Sequence, residues 1–479
     1  MNSAFAVIDI GGSSVKVTLM ECDTHKSYSH SIAIQPILQD RHIFLEPEKL
    51  LEQIIEAMNQ VVCFADSALK VVRISISSLR QGFCLVSGFR EISPIYLNSD
   101  TSGQFAKDEE EKFGMKKIYS ETGHWFAPQL TLPKMINLKR NSPEKFDETT
   151  RVLFVHDWLV WRFTGVQITE MGLVSAGQLA AINENQVNYE ILNYFGFSEK
   201  ILPKIAEFNQ PIEKLQSDVK NRLNSSWWES TVHVGGGDSH FLHLGASMNE
   251  SNVLVVSAGS STPISWLNKS KIVTSELHPW ISTSFREGHY FLEGNLGYPG
   301  THYGWLLKNF AVKPKDISLD LKAVSKAPQV FGACNLWNQE KWESRPPFTI
   351  VGDVGSYSNE ELILGLLLDY AFSLANQIQN IQKDFVIASI VITGGGSNAD
   401  LCKLLKSLID LPIYILPQDV AVTNLLSKLN NEEVTTKAIG SEINSLDFEI
   451  SQYIKDLTRT HSQLYSELEG IRGVLSEIH

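Results

Sequence analysis

The chain has 479 residues, 43% hydrophobic and 20% charged, a composition that excludes a disordered or fibrous polypeptide and exceeds what one hydrophobic core sustains. A net charge of −13 with no basic cluster excludes a dominant nucleic-acid surface, which needs a positive footprint, and leaves small-molecule chemistry. The five cysteines, Cys22, Cys63, Cys84, Cys334 and Cys402, are scattered without a CxxC spacing. They fit reduced thiols in a cytosol, and no basic segment followed by an apolar run marks a secretory signal, so a cytoplasmic protein is expected.

The first element is "VIDIGGSSVKVTLM", residues 7–20. Glycine-rich phosphate loops usually lead into a helix. Here Val15, Lys16, Val17, Thr18 and Leu19 alternate with period two, so the glycines are predicted to turn a β-hairpin. A phosphate over that turn would be repelled by Asp9 unless a metal ion stood between them, which suggests a Mg-nucleotide site. Lys16 is open to two readings, a phosphate contact or an outward strand lysine.

Further along, "ISISSLRQGFCLV" (74–86) reads as a strand ending in the polar pair Arg80-Gln81. In "VHVGGGDSHFLHLGA" (232–246) a short strand runs into three glycines and Asp238. His233, His240 and His243 surround that aspartate in sequence, but a strand-turn-helix path spreads them and no cysteine joins them, so a zinc site is not expected. The apolar run Leu362 to Leu368, ended by Asp369, is too short to span a bilayer and reads as a buried helix. "IASIVITGGGSNADLCKLLKSLIDLPIYI" (387–415) reads as strand, glycine run, capping residues Ser397 and Asn398, helix and strand. From Ile450 through Tyr453, Ile454, Leu457, Leu464, Leu468 and Ile471 the spacing is helical. That tail is expected to pack on the second domain, with a partner-binding helix as the other reading.

The opening "DIGGSSVKV" can be laid on "VSAGSSTPI", Gly12, Ser13 and Ser14 falling on Gly259, Ser260 and Ser261 at an offset of 247 residues. Strand-like runs precede both copies (Phe5 to Ile10 and Val253 to Ser257), and only the first carries the acid, Val256 standing where Asp9 would be. Two related domains that each begin with a hairpin follow from this repeat.

With these segments in this order, the chain resembles the FGGY family of carbohydrate kinases over nearly its whole length. "DIGGSSVK" is similar to that family's first phosphate loop, "GGGDS" with Gly245 to its catalytic aspartate segment, "SAGSS" to its second phosphate loop and "TGGGSNAD" to its adenosine motif. "TGHWFAPQLTLPKMINLKRNSPEKF" (122–146), with Lys134, and "HDWLVWRFTGVQITE" (156–170) resemble the signature regions between them. The resemblance implies an α/β chain of two ribonuclease H-like (actin-like ATPase) domains, 1–248 and 249–479, flanking a nucleotide and sugar cleft.

It further implies ATP and Mg²⁺ as cofactors and a small carbohydrate, ketose or polyol, as substrate, with neither nucleic acid nor membrane as partner. A homodimer is the assembly common in the family. On this reading Gly11, Gly12, Ser13 and Ser14 with Gly259, Ser260 and Ser261 hold the β and γ phosphates. Asp9 stands in the outer shell of the metal. Gly394, Gly395, Gly396, Ser397 and Asn398 meet adenosine. Asp238 is the general base, the alternative being a turn aspartate that caps the next helix. Arg80, Gln81, Gln129 and Asp238 contact the sugar, Asp100 is a further candidate, and Trp125 either stacks on the sugar or fills a core.

Several residues depart from the family pattern. Asn137 replaces the signature tryptophan, "NSDTS" keeps Asp100 but lacks the arginine, Leu368-Asp369 replaces a glutamate-glycine pair, and "AVTNLLSKLN" replaces an alanine-rich helix. "PQLTLPK" leans toward the xylulokinase-like branch, whereas Arg80-Gln81 is not that branch's usual pair. These departures keep open a catalytically weak or inactive sugar- or nucleotide-sensing protein on the same fold. A dinucleotide-dependent oxidoreductase fits poorly, because "GGGDSH" lacks the third glycine of GxGxxG and the opening loop continues as a strand. A P-loop enzyme fits no better without a Gly-Lys dipeptide.

Overall fold

A computed structural model describes residues 2–65, 68–247, 252–270, 277–331, 349–394, 399–430 and 441–476. The opening segment is the expected hairpin: Asn2–Ile10 and Ser14–Glu21 pair antiparallel, Ile10 opposite Val15 and Asp9 opposite Lys16. The Gly11 amide donates to the Ser14 carbonyl at 2.9 Å, and the chain reverses without entering a helix. This hairpin lies in a six-stranded sheet ordered Pro211–Lys214, Thr231–Gly237, Leu69–Ser78, Asn2–Ile10, Ser14–Glu21, Ser27–Ala33. Its three middle strands, Thr231–Gly237, Leu69–Ser78 and Asn2–Ile10, run parallel. They read as near-continuous apolar runs because both faces are covered, and Ala6, Ile8, Ile10, Ile74, Ile76 and Val232 are fully buried.

The second half repeats this plan. Val253–Ser257 and Pro263–Asn268 form an antiparallel hairpin, Tyr290–Asn295 pairs beside it, and Ser389–Thr393 followed by Ile413–Leu416 add in parallel on the other side. Trp280–Thr283 and Ser441–Glu442 extend this sheet to seven strands. The Gly259 amide donates to the Ser261 carbonyl at 3.2 Å, so the second Gly-Ser-Ser also closes a strand reversal. Two lobes with the same ribonuclease H-like strand order result, and the short sequence repeat marks the corresponding turn in each.

A third sheet, ordered Arg151–Phe154, Phe83–Ser87, Ile95–Tyr96, His42–Leu45, Ile37–Gln39, draws its last two strands from between Ser27–Ala33 and Leu69–Ser78 and the other three from between Leu69–Ser78 and Thr231–Gly237. Lys134 ties it together from inside: its ammonium is fully buried and donates to the carbonyls of Gln81 and Leu97, each at 2.8 Å. Burial pushes this lysine down to about 7, with Asp100 opposing the shift.

The run at Leu362 lies within helix Asn359–Asp384, whose buried residues form the core of the second lobe. The tail is helix Phe448–Ser476; Ile454 is fully buried, and Ile450, Tyr453 and Leu457 pack on that same core. Leu468 and Ile471 lie beyond the described side chains. The lobes meet where helix Asp238–Ala246 crosses helix Gln418–Leu429, and Val7 and Met20 share an apolar cluster with Phe241, Leu425, Leu426 and Leu429. Gly245 permits this crossing, since a Cβ there would lie 2.2 Å from the Ala421 carbonyl oxygen. The segment "AVTNLLSKLN" is thus the second-lobe side of the joint. Arg73 secures it, donating from Nη1 to the Leu429 carbonyl at 2.6 Å.

In one respect the path differs from expectation. The three glycines before Asp238 do not turn; they continue strand Thr231–Gly237, and the helix begins at Asp238. Crowding explains them. A Cβ on Gly235 would meet the Ile76 carbonyl oxygen at 1.8 Å, and one on Gly237 the Arg80 Cγ at 2.4 Å. Gly235→Ala is therefore expected to lower stability by about 2 kcal/mol or more, read as a reduced urea midpoint at unchanged slope.

Candidate active site

Asp238 stands at the first helical position of Asp238–Ala246, at the end of a strand that three glycines let sink between its neighbours. The strand is fixed from behind. The Gly235 amide donates to His156 Nε2 at 2.9 Å, and His156 Nδ1 donates to Asp157 Oδ1 at 2.9 Å. Both members of that pair are fully buried, so the register of the strand carrying Asp238 is set by helix Val155–Thr164.

Asp238 lines a cavity of about 290 Å³ with Asp9, Ser77, Ser239, Gly259, Ser260 and Ser261, and Ala421, Val422 and Leu425 are also in its wall. One cleft thus brings together the two carboxylates and the second Gly-Ser-Ser turn. Gly11 to Ser14 are not among its lining residues; this turn is partly exposed, at the end of the strand that carries Asp9. Lys16 sits directly across the hairpin from Asp9, which puts both side chains on one face of the sheet. A separate cavity of about 330 Å³, with Phe208, His240, Leu267, Phe285, Arg286 and Phe291 in its walls, lies against another face of helix Asp238–Ala246 and has no carboxylate lining it.

The electrostatics follow from partial enclosure. Asp238 keeps 41% of its side chain exposed toward the cleft, yet the surrounding protein displaces most of its water. Burial lifts its pKa to about 6; Arg80 opposes the shift, and Asp9 and Glu293 add to it. Asp9 is also raised by burial, against a hydrogen bond from Ser77 Oγ to its Oδ1 at 2.7 Å and the charge of Lys16. The Asp9 carboxylate is a hard oxygen ligand of the kind that would suit Mg²⁺, and the amide and hydroxyl donors of the nearby turn would suit phosphate oxygens.

Arg80 is the center of the other end. Its guanidinium lies 3.6 Å from Asp238 and donates to Glu293 Oε1 at 2.7 Å. Glu293 belongs to strand Tyr290–Asn295 of the second lobe, so one arginine links the lobes beside the carboxylate. Nothing in "YFLEGN" distinguishes this glutamate from an ordinary strand residue, and sequence reasoning missed it. His124, Thr301 and Gly300 were missed as well. Thr301 donates from its amide and hydroxyl to the Ser260 carbonyl, each at 3.2 Å, and a Cβ on Gly300 would lie 1.9 Å from the Gly259 carbonyl oxygen. The start of helix Pro299–Phe310 thereby shapes the second turn.

The remaining candidates separate clearly. Gln81 is buried, its carbonyl accepting from Lys134 and from the Thr131 hydroxyl. Gln129 has a buried Oε1 with no hydrogen-bond partner. Asp100 is fully buried and accepts from His42 Nδ1 at 3.1 Å and the Ser102 amide at 2.7 Å, which gives it a structural setting. Trp125 stacks on Tyr119 with centroids 4.3 Å apart and lies in the second-lobe core cluster, as the core-filling reading expects. His233 and His243 are engaged with the Asn209 carbonyl and the Ser265 hydroxyl. Of the adenosine residues, Gly394 follows strand Ser389–Thr393 with φ 102° and packs against residue 258; Gly395, Gly396, Ser397 and Asn398 lie outside the described residues.

Two lobes of this shared topology, closing on a carboxylate-lined cleft, define the fold of the actin-like ATPases. Residues 4–245 match the N-terminal domain of the FGGY family of carbohydrate kinases, and the chain belongs to that family, whose members are phosphotransferases with an alcohol group as acceptor. Among curated relatives it is 25% identical to xylulose kinase of Bacillus subtilis, across 82% of this chain and 80% of that protein. It is 23% identical to L-fuculokinase of Escherichia coli K12, a match spanning 60% of this chain and 61% of the relative. A ligand-bound xylulose kinase from Lactobacillus acidophilus superposes with a TM-score of 0.84 at 15% identity, covering 99% of this chain and 100% of the other.

The charges around Asp238 make a direct prediction. Arg80→Met removes the cation that holds the Asp238 pKa down, so its titration is expected to move above about 6, whereas Glu293→Gln removes an anion and moves it lower. Carboxyl-carbon NMR of the two variants reads both shifts, and a shift of the opposite sign in either would refute this account of the site.

Proposed function

We propose that this chain transfers the γ-phosphoryl group of Mg-ATP to a hydroxyl of a small sugar, a ketose such as a pentulose or a polyol, with Asp238 as general base. The observation that carries this reading is the single cleft in which Asp238, Asp9 and the turn Gly259 to Ser261 meet. The acceptor hydroxyl oxygen attacks the γ phosphorus, the bond to the β–γ bridging oxygen breaks, and the hydroxyl proton passes to Asp238. Such a base contributes about 10²–10⁴-fold, and the rest is positioning and charge neutralisation. A pKa near the working pH suits this role, because the carboxylate is ionised yet basic enough to hold the proton.

Asp9 would hold Mg²⁺, which supplies charge neutralisation of the β and γ phosphates when bound. Amides and hydroxyls of Gly11 to Ser14 and of Gly259 to Ser261 grip those phosphates from the two lobes, with Lys16 on the same sheet face as Asp9. Adenosine lies against Gly394 to Asn398. The sugar lies at Arg80, Gln81 and Gln129, beside Asp238. In this reading the lobes, 1–248 and 249–479, part and close around both substrates in the cytoplasm, excluding water that would otherwise hydrolyse ATP.

ADP release measured against a panel of pentuloses, hexuloses and polyols tests the proposal: turnover is expected to depend on the sugar, with slow hydrolysis in its absence. Equal hydrolysis with and without sugar would refute it. Asp238→Asn is expected to lower kcat at least about 100-fold while ATP binding, followed by calorimetry, stays within about threefold. For the unaltered chain, kcat/KM should rise as pH increases through about 6 and level off above it, because the base works only when deprotonated. A flat profile from pH 5 to 8 would exclude Asp238 from this role.

A further inference from the structure

Three buried acceptor atoms converge on Arg80 at the seam between the lobes, and the mechanism above uses none of them. His124 is 1% exposed, and its Nδ1 lies 3.1 Å from the Thr122 carbonyl oxygen. A carbonyl only accepts, so Nδ1 carries the proton and Nε2, which is buried and has no hydrogen-bond partner, is an acceptor. His240 repeats the logic with the nitrogens exchanged. Its Nε2 lies 3.1 Å from the Thr283 carbonyl oxygen, which leaves the unpartnered, buried Nδ1 as an acceptor. The third is Glu293, 3% exposed, with Oε1 held by Arg80 and Oε2 buried without a partner.

These atoms belong to one place. Glu293 stands opposite Trp280 across the strand pair, and the Trp280 ring packs on His124 at 5.5 Å. His240 packs on Phe291, two residues from Glu293 on the same face of the strand, at 4.0 Å, and its Nδ1 lies on the side of Gly237 where Arg80 crosses. His124, His240 and Arg80 come from the first lobe; Trp280, Phe291 and Glu293 come from the second. Parting the lobes therefore opens all three acceptors together. Burial pushes His124 down to about 4 and His240 well below its usual range, with Arg80 adding to both shifts, so both imidazoles stay neutral at physiological pH and the second nitrogen of each remains an acceptor.

A buried acceptor without a donor is costly, and a ligand that brings donors removes that cost. We infer that His124 Nε2, His240 Nδ1 and Glu293 Oε2 are hydroxyl-binding acceptors that restrict the sugar site to neutral polyhydroxy compounds and reject sugar acids. This rests on the kinase reading and narrows its substrate class. A neutral ketose or polyol offers several O–H donors. A carboxylate offers only acceptors at its charged end and meets Asp238 and Glu293, while the Arg80 guanidinium is already shared between those two anions.

The test measures binding by calorimetry, and ADP release, for D-xylulose, L-ribulose, xylitol and glycerol against D-xylonate and D-gluconate. At least one neutral compound is expected to bind about tenfold or more tightly than either acid. Glu293→Gln is expected to shrink that ratio below about threefold by removing the repelling charge, while His124→Phe weakens the neutral ligand about tenfold and leaves the acids unchanged. Circular dichroism and thermal melting confirm that each variant is folded; where His124→Phe does not fold, His124→Gln, which keeps an acceptor, should bind the neutral ligand more tightly than His124→Leu. An acid that binds or turns over as well as the neutral compounds, or a ratio unchanged in Glu293→Gln, overturns the inference and leaves the kinase reading intact. No ADP release with any of the six compounds, and none of them bound, counts against both.

Discussion

The cleft depends on keeping Asp238 reachable from one side while depriving it of most of its water. These demands conflict, because whatever shields a carboxylate also tends to block it. The chain reconciles them with backbone. Residues 235–237 carry no side chains, so their strand lies closer to Ile76 and Arg80 than any side-chain-bearing segment could, and the first turn of the next helix emerges at the bottom of a narrow opening. His156 and Asp157 hold that strand from the side away from the cleft, so the opening is set by buried, mutually satisfied groups and not by mobile surface chains.

That placement has a consequence for the lobes. An enclosed carboxylate raised toward neutral pH needs a compensating charge, and Arg80 supplies it. Arg80 is itself shared with Glu293 of the other lobe. The ionisation of Asp238 and the approach of the lobes are therefore coupled through one guanidinium: as Glu293 draws closer, less of the positive charge is left for Asp238. The apolar joint of Val7, Met20, Phe241 and Leu425 adjoins the cleft itself, Val7, Phe241 and Leu425 standing in its wall beside Asp238. Its crossing at Gly245 leaves no room for a side chain. The lobes are thus held together by a close-packed apolar contact on one side of Asp238 and by a polar one through Arg80 on the other.

Much of this was legible in the sequence where chemistry and periodicity coincide. The alternation after Ser14 specified a hairpin, and the second Gly-Ser-Ser specified its counterpart, because turns and period-two strands leave local marks. Asp238 stood out through its glycines, although they were expected to bend the chain. They lengthen the strand instead, for a reason that resides in residues far away: Ile76 and Arg80 crowd it, and a single sequence does not list its neighbours. Glu293 illustrates the wider limit. Its partner is 213 positions away, and its own surroundings look like any half-buried strand. His124 was passed over for the same reason, its significance coming from which nitrogen the Thr122 carbonyl occupies.

The departures from the family pattern bear on whether the chain is a catalyst or only a binding protein. Asn137 accepts a hydrogen bond from Asn141 at 3.0 Å. Asp100 is satisfied by His42 and Ser102, and Asp369 lies 2.9 Å from His461 of the C-terminal helix inside the second-lobe core. Asn137 and Asp369, the altered residues of the three, each have a local partner, and neither lines the cleft that holds Asp9 and Asp238, whereas Ala421, Val422 and Leu425 of the altered helix segment form part of its wall. Loss of catalysis frees the residues around a reacting group first, since nothing else requires a buried carboxylate there. Here the costly arrangement of two carboxylates facing one cavity is present, and the altered residues in that cavity's wall are apolar ones that leave both carboxylates in place. That distribution favours a working transferase over a sensor.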